Sequence, residues 1–409
     1  MPEFPVLPVL ERVKENWRTS DRRALSSAWL VCCQHLLESS GSLFEALIDL
    51  GAQPERVFIL GKAYSTHLQT AATLSASGCH AIPGRWPVEI GGFERAIAKD
   101  ANALWLTAIN AGLREDGDKI IILDDGGHCA RNAPDDIAKS GRCTVVEQTT
   151  SGLAGEAGIQ RANYPIIAVA ASAAKRILES PLIADAILDR LDRRCMRPIR
   201  VGVLGHGALG KALTQRLMDR GNNVSVHDRD STVTRSYNGN IVCSSTEQLL
   251  SRSDLVIGCT GQSAVRFKAL PRRAEPLALA SGSSGDVEFR DLLVGCAAEG
   301  TRGGDCPDVV LPMTDEYTEV RILRSGFPIN FDNTAESVPG DQIQLTRGLL
   351  LSGVLQAVRM KRPDVRVSGA IPLLARLQQQ VVECWMVNCR HDRSLLTRFN
   401  SLRWIKENS

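Results

Sequence analysis

Short apolar runs and helix-patterned stretches alternate along the first part of the chain. The segments "RVFILG" (56–61), "ALWLTAI" (103–109), "IIIL" (120–123) and "PIIAVA" (165–170) read as strands, and "SLFEALIDLGA" between them has helical spacing. Strand and helix in alternation predict a parallel sheet covered on both faces. A long helical pattern, "SAAKRILESPLIADAILDRLDRR" (172–194), leads into a second set: "IRVGVLGHGALG", "NVSVHD", "DLVIGCTG" and "LALASG". Their order is that of a doubly wound nucleotide-binding domain. A last helical region starts near "QLTRGLLLSGVLQAV" (344–358), and "ASGSSGD" (280–286) reads as a functional loop. The expected fold is α/β, with two doubly wound parallel-sheet domains.

Composition narrows the partners. A chain of 409 residues with 44% hydrophobic and 23% charged positions describes an ordinary globular protein. Its formal charge of +2 gives no reason to expect nucleic acid or an anionic membrane as partner. The 12 cysteines are scattered, without Cys-x-x-Cys spacing, so buried free thiols in a reducing compartment are expected and no metal site is. The first residues, "MPEFPVLPVLERVKENWRTS", carry charges and prolines where a signal peptide needs an unbroken apolar core, and no stretch is long and apolar enough to span a bilayer. A cytoplasmic protein acting on a small molecule is the expectation.

The segment "RPIRVGVLGHGALGKALTQRLMDRGNNVSVHDRD" carries a dinucleotide fingerprint in its proper context. A strand runs into Gly205-x-Gly207-x-x-Gly210, a helix follows, and a second strand ends at Asp228. Gly205 permits the tight turn, Gly207 lets backbone approach a pyrophosphate, and Gly210 allows close packing of helix on strand. The helix start offers free N–H groups to phosphate. Asp228 lies 23 positions after Gly205, where a carboxylate accepts from ribose hydroxyls and disfavours a 2′-phosphate. NAD is the expected cofactor, with Arg229 as the one neighbour that leaves NADP open.

Several further segments, in order, carry a resemblance. "ILDDGG" is similar to an Asp-Asp-Gly-Gly segment, and "VVEQTTSG" (145–152) to Glu-Glu-Thr-Thr-Thr-Gly. "YPIIAVAASAAKRILES" is similar to a segment bearing a lysine and an aspartate, and "GHGALGK" to a cofactor loop. "CTGQ" (259–262), "DVEF" (286–289) and "IPLLARLQQQVV" (371–382) follow in the same order. Together they resemble the S-adenosylhomocysteine hydrolase family. The resemblance implies an NAD-binding domain inserted into a substrate-binding domain, in a homodimer or homotetramer. It places the substrate domain at 1–178 and 335–395, the cofactor domain at 179–334 and a C-terminal tail at 396–409.

The chemistry implied is transient oxidation of a hydroxyl to a ketone by bound NAD, after which an α-proton becomes removable and a β-substituent can leave. By resemblance Lys175 and Glu179 serve the hydroxyl, Asp125 takes the α-proton and His35 attends the leaving group. On residues alone, Lys175 and Glu179 are equally a solvated i,i+4 ion pair, and His35 a core histidine on an apolar helix. The cofactor side comprises Gly205, His206, Gly207, Ala208, Leu209 and Gly210, with Asp228 and Arg229. Thr149, Thr150, Ser151, Thr260, Gly261, Ser281, Gly282 and Asn330 join it by resemblance. His67, Glu147, Gln148, Ser284 and Ser337 occupy substrate-binding positions.

The departures are selective. Gln148 stands for a glutamate, Ser284 and Ser337 for histidines, Glu179 for an aspartate, and Leu37 and Ser39 for adenine-reading side chains. The tail "RFNSLRWIKENS" has only Lys406 as a weak match. Residues for oxidation and α-proton removal are kept while those for adenine recognition change, which predicts an active relative with another substrate. A plain dehydrogenase with net hydride transfer and a non-catalytic NAD-binding homologue are the rival expectations.

Overall fold

The structure is a computed structural model. It describes residues 3–18, 25–153, 159, 164–194, 196–234, 241–272, 275–295, 306–311, 319–360 and 369–388. The chain forms two compact units. One comprises Met1–Arg85, Ile97–Glu179 and Asn333–Ser409, the other Trp86–Ala96 and Ser180–Asp332. The sequence had placed 86–96 with the first unit; the structure gives it to the second. There Phe93 packs edge-on against Phe327, as Trp86 does, and the Phe93 N–H donates to Asp286. A segment that departs from its sequence neighbours in this way leaves no local pattern to read.

In the first unit the strands are β1 (Ala28–Leu36), β2 (Val57–Thr66), β3 (His80–Ile82), β4 (Lys119–Asp124), β5 (Cys143–Glu147) and β6 (Pro165–Ala168). The second contributes β7 (Arg200–Leu204), β8 (Asn223–His227), β9 (Ile241–Val242), β10 (Leu255–Gly258), β11 (Leu277–Ser281), β12 (Val309–Val310) and β13 (Val320–Ile322). The chain then returns to the first unit with β14 (Gly369–Pro372).

The first sheet has the order β14-β6-β5-β4-β1-β2-β3, with every pairing parallel. Buried on both faces, its central strands read as continuous apolar runs: all nine residues of β1 are buried. The chain reverses its direction of travel across the sheet between β1 and β4. In open parallel sheets such a switch point, at the carboxyl ends of the strands, is where ligands bind. Helix Gly340–Arg359 lies on this sheet so closely that a Cβ at Gly353 would sit 2.8 Å from Val146.

The second sheet runs β12-β13-β11-β10-β7-β8-β9, parallel except for the antiparallel β12–β13 pair. Strand alternation divides its core. Val201, Val203, Leu255 and Ile257 pack with Ile187 and Leu213 on one face, and Leu204, Val256 and Leu279 pack with Leu249 and Phe289 on the other. Its switch point lies between β7 and β10.

Three assignments change. "ALWLTAI" lies in the helix Phe93–Ala108, because Ala101, Leu104, Trp105 and Ala108 are buried at helical spacing while Leu106 is 61% exposed. His35 sits on β1 and not on a helix; the apolar run Ala28–Cys33 before it has no period to tell the two apart. "IPLLARLQQQVV" also begins in a strand, β14, before its helix Ala375–Asn388. No helix among the described residues is long and apolar enough to cross a membrane.

Candidate active site

The switch point of the first sheet gathers charge where the strands end. His35 is the next-to-last residue of β1, Asp125 follows β4, and Lys62 lies midway along β2. Lys62 is fully buried and forms an ion pair with Asp125. The other Asp125 oxygen, Oδ2, lies 3.2 Å from His35 Nε2, and His35 Nδ1 lies 2.5 Å from Ser65 Oγ. Burial opposes both charges of the pair, yet each outweighs that cost for the other. Asp125 is held well below the usual carboxylate range by Lys62 and His35, and Lys62 stays above the usual lysine value beside Asp125. Burial lowers the His35 pKa, with Asp125 pulling the other way and Lys62 adding to the drop. His35 thus stands between a carboxylate on its Nε2 side and a hydroxyl on its Nδ1 side, though the contact to Asp125 Oδ2 is one of proximity and not an aligned hydrogen bond.

Asp124 anchors this loop: its Oδ2 accepts the Ala130 N–H at 2.8 Å and its Oδ1 the Asp125 N–H at 3.1 Å. Glu147, at the end of β5, is fully buried and turned into its own loop. Its Oε1 accepts from Gly126 N at 3.1 Å and from Thr149 N and Oγ1, each at 2.7 Å. A Cβ on Gly152 would meet the Glu147 carboxyl carbon at 2.4 Å, which fixes glycine at the end of "EQTTSG". Burial, with Asp124 beside it, pushes the Glu147 pKa up. Gln148 is buried next to it, while Thr150 and Ser151 are exposed. His67 precedes the helix Leu68–Ala76 and its Nδ1 lies 3.1 Å from Thr70 Oγ1. His128 is buried beside Arg131, with its pKa lowered mainly by burial.

A second cluster of the same unit joins the turn Lys175–Glu179 to helix Gly340–Arg359. Lys175 pairs with Glu179, whose Oε1 accepts from Thr346 Oγ1 at 2.7 Å. The turn is π-helical, and the pair is nearly buried, at 13% and 10% side-chain exposure. A solvated surface pair is therefore not what stands here. Beside Thr346, Arg347 donates from Nε to Ser39 Oγ at 3.1 Å, and Ser39 donates from N and Oγ to the Glu336 carboxylate. Ser337 follows, half-buried.

The second unit carries the glycine turn. Gly205 has φ +91° and donates to His227 O at 2.8 Å, and a Cβ on Gly210 would lie 2.0 Å from the Gly205 carbonyl oxygen. A Cβ on Gly207 would meet nothing within 4 Å, so the side of the turn that Gly207 faces is open to a ligand. Helix Ala208–Asp219, containing Leu209, starts there. The Asp228 carboxylate, at the tip of β8, accepts the His206 N–H at 2.7 Å and the Asp230 N–H at 2.9 Å. The His206 ring is buried with Nδ1 3.1 Å from Val233 O, and Arg229 is exposed. These residues fit a dinucleotide: an open cradle at a helix start, with a carboxylate at the end of the next strand.

Across the switch point, Glu288 ties two loops together. It accepts from Gly261 N at 2.7 Å, Thr260 Oγ1 at 3.0 Å and Ser283 Oγ, and burial pushes its pKa up to about 7. Ser281 Oγ accepts the Ser283 N–H, and Gly282 donates to Gly258 O at 2.8 Å. Ser284 is half-buried and Asn330 buried. Lys406 and the tail 396–409 lie outside the described residues.

Sequence reasoning passed over Lys62, Arg347, Glu336 and Glu288. Lys62 and Arg347 did leave a signal, a cation inside "VFILGKAYST" and another inside "QLTRGLLLSGVL". A charge in a run of that kind needs a buried partner. Among the described residues no group of three or more His, Cys, Asp or Glu is placed to hold a metal ion.

Residues 200–272 match the family model of the NAD binding domain of 6-phosphogluconate dehydrogenase. With the geometry above, this makes the second unit an NAD-binding unit. Two uncharacterised proteins of Mycobacterium tuberculosis, from strains CDC 1551 / Oshkosh and ATCC 25618 / H37Rv, are each 29% identical over 345 residues. The match takes in 82% of this chain, which spans 65% of the length of those relatives. Among solved structures, the NAD-dependent formate dehydrogenase of Staphylococcus aureus is 14% identical, with a TM-score of 0.36, over 58% of this chain and 77% of that one. The 2-hydroxyacid dehydrogenase of Ketogulonicigenium vulgare Y25 is 15% identical, with a TM-score of 0.35, over 61% and 83%. Overlap that slight assigns no activity. None of these proteins is named as an adenosylhomocysteine hydrolase, so that resemblance rests on the sequence segments.

Proposed function

We propose that this chain is an NAD-dependent oxidoreductase that oxidises a hydroxyl of a small molecule held by the first unit. The observation that carries the reading is the pairing, in one chain, of an NAD-binding unit with a switch point lined by a buried Lys62–Asp125–His35–Ser65 network. Bound NAD supplies the hydride acceptor. Lys175 gives a proton to the Glu179 carboxylate as it takes the one from the hydroxyl, so that the pair is the acceptor, and Thr346 keeps Glu179 in place. Purified protein given NAD and a panel of hydroxylated metabolites should raise absorbance at the reduced-nicotinamide band with one of them. Lys175→Met should lower that rate about 100-fold or more, the scale of a lost general base. A Lys175→Met rate equal to wild type overturns the assignment.

A second reading is favoured by one feature. Net oxidation needs a single proton acceptor, and the first unit holds two separate acid–base clusters, one at Lys175 and one at Asp125. The Asp125 cluster suits removal of an α-proton from a transient ketone, the chemistry of the adenosylhomocysteine hydrolase resemblance. Substrate incubated in D₂O separates the two. Deuterium entering at the α-carbon without accumulation of reduced cofactor is the redox-neutral outcome; reduced cofactor accumulating in step with product is the dehydrogenase.

A further inference from the structure

We propose that Arg347 anchors a carboxylate of the substrate, so that the oxidised hydroxyl belongs to a hydroxy acid; this rests on the oxidoreductase reading. Arg347 is 3% exposed, in the middle of helix Gly340–Arg359. Its one hydrogen bond runs from Nε to Ser39 Oγ, and no carboxylate oxygen among the described residues lies within ion-pair distance of its guanidinium. Both Nη atoms thus lack a partner there. They are also not sealed in by protein, unlike the Nη2 of buried Arg324. A buried guanidinium is costly unless its donors are taken up.

The carboxylates that influence Arg347 are Glu336, Glu179 and Asp125, and each is engaged elsewhere. Glu336 accepts from Ser39, Glu179 accepts from Lys175 and Thr346, and Asp125 accepts from Lys62 and faces His35. Burial lowers the Arg347 pKa and their field opposes that drop; a guanidinium stays charged in either case. Its planar edge matches a carboxylate bidentately. A phosphate dianion fits less well, because the same three carboxylates repel a second negative charge. A neutral polyol would leave the guanidinium without a counter-charge of its own. Ser39 holds Arg347 by Nε and leaves the two Nη atoms as the unused donors.

The test uses the full chain loaded with NAD. Binding of glycerate, tartrate and gluconate is compared with glycerol, erythritol and sorbitol by calorimetry and thermal shift. At least one hydroxy acid should bind, its polyol counterpart should not compete, and Arg347→Met should weaken the acid about 10- to 150-fold, the worth of a charged hydrogen bond. Arg347→Lys should fall between, keeping the charge without the fork. NAD affinity should be equal in all three proteins, which also shows that the variants fold. Equal acid binding in wild type and either variant overturns the proposal, as does polyol binding as tight as acid binding. The oxidoreductase reading fails on a different signature: an acid that binds through Arg347 while the protein never transfers hydride to NAD.

Discussion

At the scale of single residues, the unit of design in the first domain is the buried pair and not the lone catalytic group. Asp125 looked from the sequence like a free base at the end of a strand. In the structure it is ionised because Lys62 is there, and a carboxylate so strongly held is a weak base until substrate disturbs the pair. Lys62→Met should therefore cost about 3–5 kcal/mol of stability, the usual effect of stranding a buried charge. Lys62→Met with Asp125→Asn should recover much of it, read by urea unfolding as a double-mutant cycle. The pH dependence should change sign. In wild type the depressed Asp125 pKa adds stability above the unfolded-state value, lost as pH falls through the folded one. Without Lys62, burial raises that pKa, and stability should instead fall as pH rises from about 4.

At the scale of elements, the strand–turn–helix from β7 to Asp219 was legible down to single glycines. Gly205 and Gly210 are fixed by backbone conformation and by a close approach, Gly207 by the open space a ligand would fill. Their substitutions should therefore part company. Gly210→Ala pushes the helix off the turn, lowering stability by about 1–3 kcal/mol and NAD affinity about tenfold. Gly207→Ala should leave the melting temperature unchanged and weaken NAD alone, as read by fluorescence titration. Strand β1 shows the opposite case. "AWLVCCQHL" is buried throughout and opens with six apolar residues because both sheet faces are covered, so its periodicity could not separate strand from helix.

At the scale of the whole chain, each unit is assembled from segments far apart in sequence. The first is closed by β14 and helix Gly340–Arg359, the second by Trp86–Ala96. Phe93, 2% exposed, meets Phe327 at 5.8 Å and lies against Gly285. Phe93→Ala should destabilise the NAD-binding unit by about 3–5 kcal/mol although it lies more than a hundred residues before β7. A melt in which the NAD-dependent transition drops while the first unit's transition stays would confirm that placement; the reverse would refute it.

By itself the sequence determined the α/β alternation, the glycine turn with Asp228, and the acidic turn after β4. These are local: each is written in a few consecutive residues whose period or backbone freedom admits one arrangement. Only the tertiary structure decided that Lys62 neutralises Asp125, that His35 bridges Asp125 to Ser65, and that Arg347 comes to Ser39 from 308 positions away. Buried charges choose partners by distance in space, through a dielectric that the fold itself creates, and no spacing along the chain encodes that choice.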